Sequence, residues 1–363
     1  MDKKKMIYIL SGIMSIMIIF IVIIALVSSC SNRTLSYEKI ETTLKTAATS
    51  YFKDNSSSLP NEEGSSVTVD AGTLTSGGYM KELSELVEEG VSCSAKVIVT
   101  KNRDNYLYSP ILSCGDKHQT QKVIDVIMKD NQVVTKGAGL YKTGDMYVFR
   151  GEVVNNYIQL DGNLWRILDI DSEGYARLIY AGKNTEEVYV WDDRYNIDSE
   201  ENVGINNYSV SRMKDTLIAL DSSNQYITEA TKPNLAYRTW CVGKRSTNNK
   251  EINNSEECTT TVSGQLFGLP YVSDYVNASI DSNCKTIDDQ SCNNYNYLLS
   301  SSLSSWTLTG SKEKSSKVYT VSRNRYSLTD ASNERAIRPT VYLSSNAIYA
   351  DGDGSQSNPY KIK

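Results

Sequence analysis

Two pairs of adjacent carboxylates are the residues of this chain whose spacing most suggests hydrolysis. Asp192 and Asp193 follow Trp191, and Glu200 and Glu201 come a few residues later. Two carboxylates hydrolyse a glycosidic bond when one is a general acid and the other a nucleophile or base. Neighbouring residues of a strand point to opposite faces, however, and acidic loops are commonly only solvated. We therefore expect no catalytic site and keep an extracellular carbohydrate-active enzyme as the alternative.

The chain has a single histidine, His118, which limits the nucleophilic and metal chemistry available to it. Ser-His-Asp and Cys-His mechanisms, and His-metal sites, place a histidine beside their other groups. His118 lies beside a predicted hairpin, outside the larger C-terminal region, and we interpret it as a surface residue. The sequence contains no Gly-rich phosphate loop, dinucleotide fingerprint or CxxC zinc spacing. We expect no cofactor.

Alternating oxygen-bearing side chains near the end of the sequence are the best metal candidate. The candidate ligands are Asp351, Asp353, Ser355 and Ser357. A calcium ion gathers six to eight oxygens of this kind. The glycine and the bidentate glutamate of an EF-hand loop are replaced here by Gln356 and Ile362. We interpret the segment as a turn before a short strand, with calcium binding as the alternative.

Seven cysteines are present, and six remain once Cys30 is set aside. The six are Cys93, Cys114, Cys241, Cys258, Cys284 and Cys292. An even number in an exported region predicts disulfides. Proximity favours Cys241 with Cys258 and Cys284 with Cys292, although four cysteines allow three connectivities. A structural clamp explains the last pair better than a reactive thiol pair does.

The remaining pair follows from the register of a predicted hairpin. Residues 93–100 and 106–114 flank a polar run with turn chemistry. A loop over 102–105 places Lys101 opposite Tyr106 and therefore Cys93 opposite Cys114, and the same register gives the hairpin one apolar face. Pro110 costs a ladder hydrogen bond, so we expect its strand to lie at a sheet edge.

An uncharged apolar run over residues 6–27 follows three lysines at positions 3–5. About 20 apolar residues suffice to span a bilayer, which is more than the core of a cleaved secretory signal needs. The lysines are expected to keep residues 1–5 in the cytoplasm and to send the rest across the membrane. The sequence thus predicts a single-pass plasma-membrane protein, held by residues 6–27, with its C-terminal domains outside.

The segment that ends at Cys30 offers a second way of anchoring. Val27-Ser-Ser-Cys30 resembles the lipobox of bacterial lipoproteins, in which the cysteine is lipidated and becomes the first residue. The apolar run is longer than most lipoprotein signals, which favours an uncleaved signal-anchor helix. Both alternatives keep the protein at the outer face of a membrane.

Length and charge restrict the remaining possibilities. The chain has 363 residues, so the part outside the membrane is long enough for two domains. A net charge of -5 and scattered lysines and arginines argue against a nucleic-acid partner. We expect an α+β chain with a membrane helix at 6–27, a small domain at 34–130 and a larger β-rich antiparallel domain at 136–363.

Helical spacing of apolar residues predicts the first element of the small domain. The pattern over 37–53 indicates an amphipathic helix, with shorter helices expected over 80–89 and 121–129 around the hairpin. A helix followed by a small disulfide-closed sheet resembles the layout of type IV pilin-like proteins. The cleavage site and the glutamate that pilins use for processing and assembly are absent, so we expect no fibre.

Short apolar runs between Gly-containing turns dominate the start of the larger domain. They predict strands of an antiparallel meander over 146–150, 156–160, 164–169 and 176–180. A helix is predicted over 208–219, and further strands over 317–322 and 337–343.

Five motifs mark this region: GLYK at 139–142, NYIQLDGNLWRI at 156–167, GLPYVSDY at 268–275, IRPTVYL at 337–343 and GDGSQSNPY at 352–360. As a set they resemble a family of uncharacterised membrane-anchored surface proteins of Firmicutes. The order of elements is also distantly similar to formylglycine-generating-enzyme and C-type-lectin-like domains. The resemblance implies a class and a location but no mechanism.

These observations predict a surface protein that displays a disulfide-stabilised binding domain toward an extracellular protein or glycan. The alternatives are a carbohydrate-active or formylglycine-generating-like enzyme and a component of a pilus-like surface assembly.

Overall fold

The computed structural model describes residues 34–363 except 183–186, 250, 252, 288, 301–303 and 323–324. The predicted anchor at 6–27 and the predicted lipidation site Cys30 lie outside the described residues. Within the described ranges, no helix has both the length and the apolarity needed to cross a membrane.

Contacts divide the chain into two compact units. The described residues of the smaller unit are 34–59, 68–98 and 110–120, and those of the larger unit are 60–67, 99–109 and 121–363. The tip of the predicted hairpin and the predicted helix at 121–129 therefore belong to the larger unit by their contacts.

The elements up to residue 130 are α-helices and the three strands of a small sheet. They are α1 (Tyr37–Asp54), β1 (Ser66–Asp70), α2 (Ala71–Ser76), α3 (Leu83–Leu86), β2 (Ser94–Asn102), β3 (Asn105–Ser113) and α4 (Val123–Asp130). Helix α1 begins after Ser36, whose hydroxyl accepts a hydrogen bond from the backbone N–H of Lys39, and it buries Ile40 and Leu44. The helices predicted over 37–53 and 121–129 are present, whereas the one predicted over 80–89 is shortened to a single turn.

Strands β1, β2 and β3 form a sheet in that order, so β3 lies at an edge, as Pro110 predicted. Only Arg103 and Asp104 separate β2 from β3, so the predicted loop over 102–105 was too long. Arg103 has a positive φ of 50°, which is the backbone conformation that a tight two-residue turn needs. The disulfide between Cys93 and Cys114 lies at the open end of the hairpin.

The larger unit continues with short strands and helices. Its elements from residue 139 to 265 are β4 (Gly139–Thr143), β5 (Met146–Arg150), β6 (Tyr157–Leu160), β7 (Asn163–Ile170), β8 (Ala176–Tyr180), β9 (Tyr189–Val190), α5 (Arg212–Ser223), β10 (Leu235–Ala236), β11 (Arg238–Cys241), β12 (Lys244–Arg245) and β13 (Thr261–Gln265). The remaining ones are α6 (Val272–Asn277), β14 (Ser305–Ser311), β15 (Lys317–Ser322), β16 (Arg325–Asp330), β17 (Glu334–Arg335), β18 (Thr340–Leu343), β19 (Tyr349–Asp351) and β20 (Tyr360–Ile362).

Short 3-10 turns connect several of these elements. They are Ser56–Ser58, Tyr208–Val210, Lys232–Asn234, Glu257–Thr259, Gln290–Asn293 and Tyr297–Ser300. The helix predicted over 208–219 thus begins as a 3-10 turn and continues as α5.

Among the described residues, the largest sheet contains nine strands. The main order is β10-β18-β8-β7-β6-β20-β19, and β5 pairs with both β4 and β7. All of these pairs are antiparallel except that of β20 with β6. Because β5 pairs with β7 and not with β6, the predicted meander order is wrong although its strands and their antiparallel pairing are present.

Strand β7 contains a bulge that matters for the sites described below. Ile167 pairs with Leu178 and Asp169 pairs with Arg177, so Leu168 is an extra residue on β7. A bulge of this kind changes the direction of the side chains that follow it. Here it brings Asp169 directly opposite Arg177 on the neighbouring strand.

Smaller sheets complete the larger unit. In the described part, β12, β14, β15 and β16 form one sheet, while β11 pairs with β13 and β9 with β17. The core holds all four tryptophans, Trp165, Trp191, Trp240 and Trp306, each with no exposed surface. The fold is therefore α+β with mostly antiparallel strands and few helices, as predicted.

Candidate functional site

The carboxylate pair at 192–193 has separate structural partners. Asp192 is fully buried and accepts hydrogen bonds from Arg194 Nε at 2.9 Å and from the backbone N–H of Ile205 at 2.8 Å. Asp193 is half exposed and lies 3.0 Å from Arg212 Nε. The two carboxylates are thus engaged with different partners, and the arrangement is that of a loop held by ion pairs.

The second pair, Glu200 and Glu201, lies on an exposed turn. Glu200 has a positive φ of 56°, and the backbone carbonyl of Glu201 accepts a hydrogen bond from the N–H of Asn196 at 2.8 Å. Both side chains are exposed. The turn offers no enclosed space in which a substrate could be held between the carboxylates.

The sequence suggested that His118 is a free surface residue, but its side chain is in contact with others. Its Nε2 atom is 2.9 Å from Glu41 Oε1, and its ring stacks on Tyr37 at a centroid distance of 4.7 Å. The hydroxyl of Thr120 also donates to Glu41. Glu41 is buried because helical spacing places it beside Ile40 and Leu44, and a buried carboxylate needs such partners. In the sequence, the only sign of this contact is that the charged residue Glu41 lies next to the apolar stripe of the predicted helix.

The calcium candidates lie on a loop with its own internal hydrogen bonds. Asp353 Oδ1 accepts from the N–H of Ser355 at 2.9 Å, and the hydroxyls of Ser355 and Ser357 are 3.3 Å apart. Asp351 lies 3.5 Å from Lys361 Nζ. Over the described ranges, no group of three or more His, Cys, Asp or Glu side chains is placed to hold a metal ion. The loop is the turn that was predicted before a short strand.

The six described cysteines pair as proximity and hairpin register predicted. The pairs are Cys93 with Cys114, Cys241 with Cys258, and Cys284 with Cys292. Cys292 is fully buried in a small apolar cluster that includes Val272, Val276 and Ile287. The last pair therefore has the surroundings of a structural clamp.

A surface groove around Arg238, named here the Arg238 groove, is a candidate ligand site in the described part of the larger unit. Its volume is about 560 Å³. Its principal lining residues are Tyr175, Tyr237, Arg238, Thr239, Ser263 and Tyr342. Thr239 and Ser263 come from the paired strands β11 and β13, and their hydroxyls are 3.0 Å apart.

Arg238 is held in place on several sides. Its Nη2 lies 3.0 Å from Asp171 Oδ2, and its Nη1 lies 2.8 Å from Glu173 Oε2. Its guanidinium carbon is 4.3 Å from the ring centre of Tyr175 and 5.7 Å from that of Tyr342. Burial acts to lower the pKa of Arg238, but the two carboxylates raise it overall. The groove therefore has a planar cation that is already paired with carboxylates of the chain.

Hydroxyl groups at the edges of the groove remain available. The hydroxyls of Tyr175 and Tyr342 make no hydrogen bond to a described residue. The glycine at position 64 leaves space beside the Tyr175 hydroxyl, because a Cβ atom at Gly64 would lie 3.1 Å from the hydroxyl oxygen. Burial raises the pKa of Tyr342 to about 12, so its hydroxyl is a donor at neutral pH.

A second candidate ligand site is a cavity of about 310 Å³, named here the Arg150 cavity. Its apolar lining includes Met146 and Val148 of β5 and Leu168 of β7, and its polar lining includes Arg150. Asp169, Arg177 and Asp274 also line it. The cavity and the Arg238 groove have no lining residue in common.

A buried ion cluster forms one side of the Arg150 cavity. Arg177 Nε lies 3.0 Å from Asp169 Oδ2, and its Nη1 and Nη2 lie 2.9 and 2.6 Å from the two oxygens of Asp274. Burial alone would lower the pKa of Arg177, but the charges of Asp169 and Asp274 raise it well above its usual value. The cluster is therefore a structural part of the interior, in which burial also raises the pKa of Asp169.

Arg150 contrasts with Arg177 because it lacks a carboxylate. Its Nη2 donates to the backbone carbonyl of Ser279 at 2.9 Å, and its guanidinium carbon is 5.1 Å from the ring centre of Tyr141. Its Nε is buried and has no acceptor, and no ion pair to a described carboxylate is formed. Burial lowers the pKa of Arg150. A cation is thus half-buried without a counter-charge.

Sequence reasoning did not identify the residues of the groove or of the cavity. For Asp169 and Arg177 a signal existed, since each is a charged residue inside a strand whose other members are buried. For Arg238, Tyr175 and Tyr342 no local pattern gave an indication, because their contacts join segments far apart in the chain.

Comparison with known proteins adds no functional assignment. No protein-family model matches the chain, and comparisons with curated proteins and with solved structures gave no match. The resemblance to surface proteins of Firmicutes stays a prediction from the motifs.

Proposed function

We propose that the protein is a membrane-anchored cell-surface protein whose larger unit binds a glycan in the Arg238 groove. The three disulfides formed by the described cysteines are consistent with an extracellular, oxidising location. The apolar run over residues 6–27 supplies the anchor in this proposal. The observation that carries the ligand assignment is the combination of aromatic rings with hydroxyls that have no hydrogen-bond partner among the described residues.

Sugar rings have apolar C–H faces and a rim of hydroxyls, so their sites combine aromatic surface with hydrogen-bonding groups. Tyr175 and Tyr342 offer both on one side chain, since an apolar ring ends in a hydroxyl. Thr239 and Ser263 add further hydroxyls on the paired strands β11 and β13. Because Arg238 is already fixed by its partners, little conformational entropy is lost when a ligand binds.

The charges of the groove favour a neutral ligand over a charged protein surface. Asp171 and Glu173 both pair with Arg238, so no cation is left free in the described lining, and Glu63 Oε2 accepts a hydrogen bond from the N–H of Arg103 at 2.6 Å. These carboxylates are therefore occupied, and the groove lacks the free acid pair that a glycosidase requires. Binding without hydrolysis is the function that fits.

The test is a glycan array probed with the full-length protein in lipid nanodiscs, followed by calorimetry on any glycan retained. Substitution of Tyr175→Ala should weaken binding at least about tenfold, the equivalent of about 1.4 kcal/mol. Arg212→Ala is the matched control, because that side chain is exposed and its partner Asp193 lies outside the groove. The control should bind as the unsubstituted protein does.

Two results would contradict this proposal. One is a folded protein that retains no glycan from the array. The other is binding that Tyr175→Ala leaves unchanged, which would move the ligand to another surface. Steady release of reducing sugar from a bound glycan would support the enzymatic alternative.

A further inference from the structure

Several side chains around the Arg150 cavity share one face of the large sheet. Val148 of β5 pairs with Asp169 of β7, and Asp169 pairs with Arg177 of β8. Residues that pair across strands point to the same face, and so do alternate residues of one strand. Met146, Val148 and Arg150 therefore face the same way as Asp169. Arg150 and Asp169 are diagonal neighbours on adjacent strands, a position in which Cα atoms lie about 7–8 Å apart.

The two ends of this face carry opposite uncompensated charge. Arg150 forms no ion pair with a described carboxylate and has a buried Nε without an acceptor. At the other end, two carboxylates, those of Asp169 and Asp274, share the single guanidinium of Arg177. Asp169 uses only Oδ2 for that guanidinium, and no described residue donates a hydrogen bond to its Oδ1.

Apolar side chains also line the cavity. Met146, Val148 and Leu168 line the cavity, and Tyr297 adds an aromatic ring. A volume of about 310 Å³ is near the lower end of the range for small-molecule sites. The complementary ligand is therefore small, with a negative group, a positive group and an apolar body.

We propose that the Arg150 cavity binds a free amino acid with an apolar side chain. Its carboxylate would pair with Arg150, because a guanidinium binds a carboxylate with two parallel hydrogen bonds. Its ammonium group would lie at Asp169 Oδ1, and its side chain would contact Met146, Val148 and Leu168. This site is independent of the Arg238 groove and does not depend on glycan binding.

The test compares ligands that lose one charge at a time. Full-length protein in nanodiscs is titrated by calorimetry with leucine and phenylalanine, and then with N-acetyl-leucine and 3-methylbutylamine. The free amino acid should bind, and each analogue should bind at least about tenfold more weakly, because a charge-assisted hydrogen bond is lost. Equal affinity for leucine and N-acetyl-leucine would overturn the proposal, as would the absence of binding to any apolar amino acid.

Variants then locate the ligand. Arg150→Gln should abolish the preference for leucine over 3-methylbutylamine, and Arg212→Gln serves as the exposed control. Val148→Phe should block the cavity without changing a charge, so it decides the question if the Arg150 variant does not fold. Unchanged leucine affinity in a folded Arg150→Gln or Val148→Phe protein would show that the amino acid binds elsewhere and would overturn the proposal.

Discussion

The Arg238 groove and the Arg150 cavity are each built around an arginine, and they treat its charge in opposite ways. Arg238 has two carboxylates within 3.0 Å and lies over two tyrosine rings. Arg150 has a backbone carbonyl and one ring, and no carboxylate among the described residues. The folded chain itself supplies the carboxylate partners of Arg238, whereas Arg150 can still pair with an anion.

This difference separates two kinds of recognition. An arginine that is paired and immobilised provides a preformed surface, on which affinity comes from shape and from hydroxyl groups. An arginine without a counter-charge is costly to bury and is relieved when an anion binds. Residues that serve binding in this second way do not improve stability, so substitution experiments can distinguish the two sites.

The largest effect is expected from Arg177, which belongs to the cavity wall but is satisfied in the manner of Arg238. Arg177→Met leaves Asp169 and Asp274 buried without their shared cation. Removal of one partner from a buried ion pair typically costs about 3–5 kcal/mol of unfolding free energy. Urea denaturation followed by circular dichroism measures this change.

Arg212→Met provides the reference for that measurement, since its ion pair with Asp193 is exposed and worth at most about 1 kcal/mol. Similar losses for the two variants would mean that the cluster around Arg177 is far better solvated than its burial indicates.

A direct comparison of the two sites comes from Arg238→Met and Arg150→Met. The first should lower the unfolding free energy by about 1 kcal/mol, because ion pairs and ring contacts are lost. The second should cost less than about 0.5 kcal/mol, or increase stability, because it removes a half-buried cation that lacks a counter-charge. Both are measured by urea denaturation in the absence of added ligand.

The prediction depends on which of the two substitutions lowers the unfolding free energy more. If Arg150→Met is the more destabilising substitution, the charge of Arg150 has a structural role. The distinction between a satisfied and an unsatisfied arginine would then fail.

The smallest effect is expected at Glu313, an exposed carboxylate that neither site uses. Hydrogen bonds from the Ser246 hydroxyl and from the N–H of Thr247 at 3.0 Å lower its pKa from 4.5 to about 2. A depressed pKa in the folded state contributes stability that is complete above pH 4.5 and is lost as the pH falls toward 2. Because the group is exposed, solvent screening keeps this contribution small.

The measurement compares Glu313→Gln with the unsubstituted protein by urea denaturation at pH 7 and at several values between 4.5 and 2. The stability difference should be present at pH 7 and should shrink over the acidic range. A difference that is constant over the whole series would show that the charge of Glu313 is not involved.

Local features were predictable because they depend on neighbouring residues. The limits of β5, β8 and β15 coincide with the predicted strands, since alternating or continuous apolar runs between turn residues determine them. Helix α1 was also predicted from neighbouring residues, and the disulfide between Cys93 and Cys114 was predicted from the hairpin register. Disulfides between cysteines close in sequence needed no knowledge of the fold.

Contacts between distant segments could not be derived in this way. Asp274 is bound to Arg177, and Asn102 donates through its amide to the backbone carbonyl of Leu235, yet nothing near these residues indicates their partners. No sequence pattern indicates the bulge at Leu168 either, although the bulge determines which face of the sheet Asp169 occupies. Both candidate sites depend on contacts of this kind, so no local sequence pattern indicates them, unlike the adjacent carboxylates at 192–193.

The parallel pairing of β20 with β6 has a consequence for the order in which the chain can acquire its structure. Ile158 pairs with Tyr360, roughly two hundred residues later in synthesis. While translation continues, the edge of β6 that will receive β20 has no neighbour, and an unpaired edge is open to other strands. Pairings over such sequence separations form slowly. The newly made protein therefore passes through a stage in which protection of this edge by a chaperone would favour a correct outcome.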